Sequence, residues 1–178
     1  MAAAVVVLVA VWIAADRQTR ETAGPALPAS GDMPPHPASA TPMTMEYAYD
    51  GDTLRARAAR PSATLPAEAV RIRIIGIDTP EGTPTAQCGA DEAREHLAAL
   101  LPEGSRLWGA VEEEPRDRYG RWLLHLWTDD GRFVAGELVA AGHAVALRVP
   151  PNVAHAPLLT TLQADAETAR RGQWAACR

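Results

Sequence analysis

The sequence predicts an α+β domain built on a small five-stranded β-barrel with three helices, set behind an apolar N-terminal segment and a proline-rich linker. Three observations predict it. Short alternating or β-branched runs bounded by Gly, Pro and Asp read as half-buried strands. Three further segments carry helical composition or spacing together with stop signals. The strands come mostly before the helices, which separates this class from a regularly alternating β/α sheet.

Taken in order, residues 1–15 are apolar from Ala2 to Ala15, a run of 14 residues that stops at Asp16 and Arg17. A spanning helix needs about 20 residues, so this segment is read as a signal peptide or a membrane anchor. Residues 16–43 contain six prolines with Ala, Ser, Gly and Thr and show no apolar period, which reads as an extended spacer. The domain is placed at residues 44–178. Thr44–Tyr49 alternates weakly and runs into Asp50-Gly51, a hairpin-turn pair. Thr53–Ala58 alternates, and Ala69–Ile77 is β-branched. Asp91–Leu101 is rich in Ala and Leu, opens on acidic residues and is stopped by Pro102, so it reads as a helix. Arg106–Val111 and Arg121–Thr128 complete the strands. Phe133–Ala141 is a short helix ended by Gly142. His155–Arg171 sets Leu158, Leu159, Leu162, Ala166 and Ala169 on one helical face and ends at Gly172. A five-stranded Greek-key OB barrel suits this strand count.

Composition narrows the chemistry. The net charge is −5, and all 17 basic residues are Arg. Without Lys, a Schiff base or a P-loop lysine is excluded. Two cysteines exclude a four-thiolate zinc or iron–sulfur site. The acidic balance argues against a protein that coats DNA, but not against an enzyme that meets phosphate with a few placed arginines.

Three clusters carry candidate chemistry: D-G-D-T at 50–53, R-I-R-I-I-G-I-D-T-P-E at 71–81, and R-D-R-Y-G-R at 116–121. Singly, each suits an ordinary turn, strand exit or solvated loop. Together they bring Asp52, Asp78 and Glu81 towards one mouth of the barrel. Carboxylates that converge without Lys call for a cation, and their oxygens suit a hard ion. Arg73 stands five residues before Asp78, an odd spacing that requires the strand to bend or the arginine to reach over the rim. Arg121 approaches from the other side. A cation, two guanidiniums and a free carboxylate suit phosphodiester hydrolysis.

These three clusters, in this order, resemble the staphylococcal nuclease (thermonuclease) family from about Met45 to Trp174. The resemblance implies an OB barrel with three helices, a calcium ion as cofactor, and cleavage of single-stranded DNA and RNA that leaves 3′-phosphate ends. It implies that Asp52 and Asp78 bind calcium through carboxylates and Thr79 through its carbonyl. Glu81 would be the general base, Arg73 and Arg121 would hold the scissile phosphate, and Tyr119 would reach a terminal phosphate. Leu147 and Val149 stand where the family archetype has two tyrosines, and the 81–88 loop is shorter and free of lysine. The expectation is an exported monomer, periplasmic or secreted, cleaved from residues 1–15 or tethered to the inner membrane by them. The alternative is an OB-fold module that holds nucleic acid or protein without cutting.

The remaining candidates have plainer readings. His36, His96, His125, His143 and His155 show no paired-ligand spacing and are read as packing or surface residues. Trp108, Trp122 and Trp127 are read as core, and Glu112–Glu114 as a solvated strand end. Asp50 is read as a turn residue, and Asp117 either orients Arg121 or is plain surface. Cys88 and Cys177 either form a disulfide, as export would favour, or remain two thiols.

Overall fold

The computed structural model describes residues 33–61 and 65–177. Residues 1–15, read from sequence as a signal peptide or anchor, and the linker up to residue 32 lie outside the described residues. Five strands close the barrel: β1 (Thr41–Ala48), β2 (Thr53–Ala58), β3 (Val70–Ile74), β5 (Arg106–Ala110) and β6 (Trp122–Thr128), in the order β1-β2-β3-β6-β5. Neighbours are antiparallel except β3 and β6, which run parallel with Ile72 opposite Trp122. Inward positions of the alternating strands supply Met43, Met45, Leu54, Ile72, Ile74, Leu107, Leu124 and Leu126, all buried. Helices α1 (Ala90–Leu100), α2 (Val134–Ala140) and α3 (Ala156–Thr168) add Leu97, Leu138 and Leu159 to the same core.

Three features depart from the sequence reading. First, the run read as one strand over 69–77 is broken. It ends at Ile74, turns through Ile75-Gly76, and resumes as β4 (Ile77–Asp78), which pairs with β7 (Val145–Ala146) in a separate two-stranded sheet. Gly76 makes the break: its φ is +87°, and a Cβ there would lie 2.6 Å from Leu159 Cδ1. Second, the packed domain extends N-terminal of Thr44. Met33 is buried, Trp127 Nε1 donates to the Pro34 carbonyl at 2.7 Å, and the His36 ring stacks on Trp108 at 4.5 Å. Third, a short turn of helix, α4 (Gln173–Ala176), follows Gly172. Just past it, Cys177 is disulfide-bonded to Cys88, with 5.7 Å between their Cα atoms.

Candidate active site

The β1–β2 turn builds the first wall. Asp50 Oδ1 accepts the backbone N–H of Asp52 at 3.0 Å and of Thr53 at 2.6 Å, so Asp50 is the turn residue the sequence suggested. A Cβ on Gly51 would lie 2.7 Å from Ala93 Cβ and 2.9 Å from Thr79 Cγ2. Only glycine lets the turn rest on α1 and on the β4 exit. That contact delivers the buried Asp52 carboxylate to Thr79. Its Oδ2 accepts the Thr79 N–H at 3.0 Å and hydroxyl at 3.1 Å. Its Oδ1 accepts the Thr53 hydroxyl at 3.0 Å and lies 3.1 Å from Arg73 Nε.

The break after β3 decides what Arg73 meets. By bending at Gly76, the chain returns Ile77 and Asp78 beside the Arg73 side chain. Arg73 Nη1 donates to the carbonyls of Ile74 and Ile77, each at 2.7 Å, and Nη2 donates to Asp78 Oδ1 at 2.7 Å. With Nε on Asp52, four of the five guanidinium N–H groups are directed to protein oxygens, leaving one on Nη2. The odd spacing of Arg73 and Asp78 is thus resolved by a bend in the strand.

Two carboxylates, Asp52 and Asp78, therefore contact one guanidinium, an excess of one negative charge, and the nearby Asp50 charge also acts on Asp52. Burial is the largest cause that raises the Asp52 carboxyl, to about 6. The Arg73 charge opposes it, the Asp50 charge adds to it, and hydrogen bonds from Thr53 and Thr79 pull it down. A buried carboxylate held against its preference, in an acidic cluster of oxygen donors only, fits a hard cation such as Ca²⁺. Among the described residues no three His, Cys, Asp or Glu side chains gather tightly enough to hold a metal unaided. The residues that could hold such an ion are Asp52 and Asp78, with Thr79 beside them.

The loop before β6 builds the opposite wall. Asp117 Oδ1 accepts the N–H groups of Tyr119 and Arg121, both at 2.9 Å, and Oδ2 accepts Arg121 Nε at 2.7 Å. Burial alone would raise the Asp117 carboxyl. The Arg121 hydrogen bonds and charge, with the Tyr119 N–H, outweigh it and hold the carboxyl below the usual range. Asp117 thus orients Arg121, settling the choice the sequence left open. With Nε so anchored, Arg121 keeps both Nη groups for a ligand. Tyr119 is 69% exposed, with the guanidinium carbons of Arg118 and Arg121 at 4.8 and 5.6 Å from its ring centre.

The two walls face one cleft of about 440 Å³, lined by Arg73, Tyr119, Arg121, Leu147, Val149 and Asn152 among others. Leu147 and Val149 give it an apolar, partly exposed side. Glu81 lines an adjoining recess with Arg71, Tyr119 and Arg121. Its backbone is clasped by Gln87: Glu81 N–H donates to Gln87 Oε1 at 3.0 Å, and Gln87 N–H to the Glu81 carbonyl at 2.8 Å. Its carboxylate is exposed. The structure thus joins Asp52, Arg73, Asp78 and Thr79 through direct contacts, sets Tyr119 and Arg121 across the cleft from Arg73, and places Glu81 in the recess that Tyr119 and Arg121 share with that cleft.

Two features escaped the sequence reading. Glu112–Glu114 is not a solvated strand end. Glu112 Oε1 accepts the N–H groups of Val153 and Ala154 at 2.8 and 2.9 Å, while Oε2 lies 2.9 Å from His125 Nε2. Asn152 exchanges two hydrogen bonds with the Glu114 backbone. These contacts fix the 150–154 turn that forms the lip of the cleft. Arg71 also went unmarked, although its i, i+2 spacing to Arg73 puts both on one strand face.

The staphylococcal nuclease homologue family model matches residues 71–176, from the first arginine of β3 to the last turn of helix. The chain belongs to the staphylococcal nuclease family. It is 32% identical over 108 residues to "Thermonuclease" of Staphylococcus intermedius, covering 58% of this chain and 62% of the relative. It is 31% identical to "Endonuclease YhcR" of Bacillus subtilis over 56% of this chain but only 8% of that relative. An "Uncharacterized endonuclease" of Escherichia coli O157:H7 is 33% identical over 125 residues, 70% of this chain and 71% of its own length. All the site residues from Arg73 to Arg121 fall inside the matched family segment. Asp52, on the β1–β2 turn, precedes it.

Proposed function

We propose that this staphylococcal nuclease domain is a calcium-dependent phosphodiesterase that cuts single-stranded DNA and RNA. The observation that carries the reading is that Arg121 lines both the cleft that holds Arg73 and the adjoining recess that holds Glu81, with Arg73 tied to the carboxylates of Asp52 and Asp78. The names of the relatives, a thermonuclease and two endonucleases, point the same way.

Asp52, Asp78 and the Thr79 carbonyl would hold Ca²⁺, which supplies Lewis-acid charge for a phosphoryl oxygen when bound. The two Nη groups of Arg121 would present a fork to the scissile phosphate. The remaining Nη2 N–H of Arg73 would reach the phosphate from the opposite wall. Glu81, exposed and unencumbered, takes a proton from the attacking water. The water oxygen bonds to phosphorus, the 5′-oxygen departs and is protonated by solvent, and a 3′-phosphate remains. Both guanidiniums offset charge that grows on the phosphoryl oxygens in the transition state.

The Cys88–Cys177 disulfide supports an exported protein, because such bonds persist in oxidising compartments. Export as a monomer, by a signal peptide or an inner-membrane anchor at 1–15, is part of the proposal. The test is digestion of denatured DNA and of RNA by the purified protein, with calcium and with chelator, followed by end-group analysis. The reading predicts chelator-sensitive cleavage to 3′-phosphate ends. Equal cleavage in chelator would overturn the cofactor, and 5′-phosphate ends would overturn the bond assignment.

A further inference from the structure

The exposed aromatics on the barrel are grouped. Tyr47 and Tyr49 are 48% and 39% exposed, and their rings meet edge to face at 5.2 Å. The Arg71 guanidinium lies over the Tyr49 ring, 4.6 Å from its centre. Sheet register sets the group. Tyr47 on β1 stands opposite Arg55 on β2, and Arg55 stands opposite Arg71 on β3. The three form a row across adjacent strands, about 10 Å wide at roughly 4.8 Å per strand step. Alternate residues of the same strands, Leu54, Ala56 and Ile72, are buried, so the row lies on the outer face of the barrel.

The charge of the row is unlike that of the chain. Arg55, Arg57 and Arg71 are set against Glu46, whose carboxylate pairs with Arg55 at 3.0 Å and Arg57 at 3.1 Å. Three positive charges against one leave a local excess of two, on a chain whose net charge is −5. Arg71 also lines the recess that holds Glu81, Tyr119 and Arg121. The row therefore starts inside the cleft and runs outward from it. Packing explains little of this, because both tyrosine rings remain exposed and outside the core.

We propose that Tyr47, Tyr49, Arg55 and Arg71 form an accessory subsite for single-stranded nucleic acid, holding the nucleotide next to the one being cut. A base stacks on the tyrosines, and its phosphate meets Arg71 and Arg55. Stacking on aromatic rings tolerates any base, and the guanidinium over Tyr49 leaves its N–H edge for phosphate. The subsite rests on the nuclease reading, since the strand it holds is the strand in the cleft.

The test compares two substrates on the full chain with calcium. One is a nucleoside 3′,5′-bisphosphate bearing a nitrophenyl ester, too short to reach the tyrosines and Arg55. The other is a single-stranded oligonucleotide of about twelve nucleotides, within the usual reach of such a barrel. Replacing both tyrosines, Tyr47→Leu with Tyr49→Leu, should raise KM for the oligonucleotide about tenfold. Its kcat, and both constants for the short substrate, should stay unchanged. Tyr47→Phe with Tyr49→Phe should keep the wild-type KM, since the rings remain. Arg55→Gln should raise KM for the long substrate alone and flatten its salt dependence. Equal KM in the Leu and wild-type proteins, or an equal loss on both substrates, would overturn the subsite and leave the nuclease reading standing. If the wild-type protein neither cuts the oligonucleotide nor binds a fluorescent copy of it, both fall together.

Discussion

Replacing Cys88 and Cys177 by serine should lower both stability and turnover. The bond closes a loop with a sequence separation of 89 residues. The chain-entropy relation for a loop of that length gives about 4.6 kcal/mol at 25 °C. A domain of roughly 145 residues unfolds with an entropy near 0.30 kcal/mol/K, so the melting temperature should fall by about 15 °C. Turnover is linked to the same bond by geometry. Cys88 directly follows Gln87, which clasps the Glu81 backbone through both its amide oxygen and its own N–H. Releasing Cys88 therefore loosens the segment that places Glu81. The assay is a calorimetric melt of both proteins without reductant, with initial rates on denatured DNA well below either midpoint. The reasoning predicts a much lower midpoint and a reduced kcat. A midpoint lowered by less than about 5 °C, together with an unchanged kcat, would refute it.

Three further outcomes follow from the same geometry. Arg73→Lys and Arg121→Lys should each lower kcat/KM by about 10²-fold or more, because an ammonium cannot replace a guanidinium fork; wild-type rates in steady-state assays of both would place the phosphate elsewhere. Burial, then the neighbouring His143 and Arg132 charges, depress the His96 imidazole to about 4. A base depressed on folding contributes stability above its unfolded value of 6.5 that is lost as pH falls towards 4, so urea midpoints should decline over that window, and less steeply in His96→Gln. Leu147→Tyr with Val149→Tyr should tighten a nucleoside bisphosphate inhibitor by up to about 1–3 kcal/mol, measured by titration calorimetry, since both side chains line the cleft and are partly exposed.

The barrel was legible because its strands repeat every two residues and its helices carry stop signals, signals that need only a short window. β4 and β7, two residues each, and the four-residue α4 are too short to show any period. The arrangement of the candidate site was open to reading where its parts lie in one run, as Arg73, Asp78, Thr79 and Glu81 do. It was not legible where it depends on contacts between distant segments. Glu112 meets His125, Val153 and Ala154 across 13, 41 and 42 positions, and nothing in three consecutive glutamates marks the first as a clamp. Asp117 could be read either way from sequence, because its role depends on the tight loop that returns Arg121 to it. Arg71 was open to reading by its spacing alone, but its tie to Tyr49 needs the β1–β2–β3 register.

The account turns on Glu81 as the group that takes the proton from water. Measuring binding and turnover separately in Glu81→Gln tests this most directly. The carboxylate is exposed, so the substitution should leave the melting temperature unchanged, and glutamine should leave affinity for a single-stranded oligonucleotide near that of the wild type. Turnover with calcium should fall by roughly 10²–10⁴-fold. Wild-type turnover in a folded Glu81→Gln protein that still binds the oligonucleotide would contradict the account.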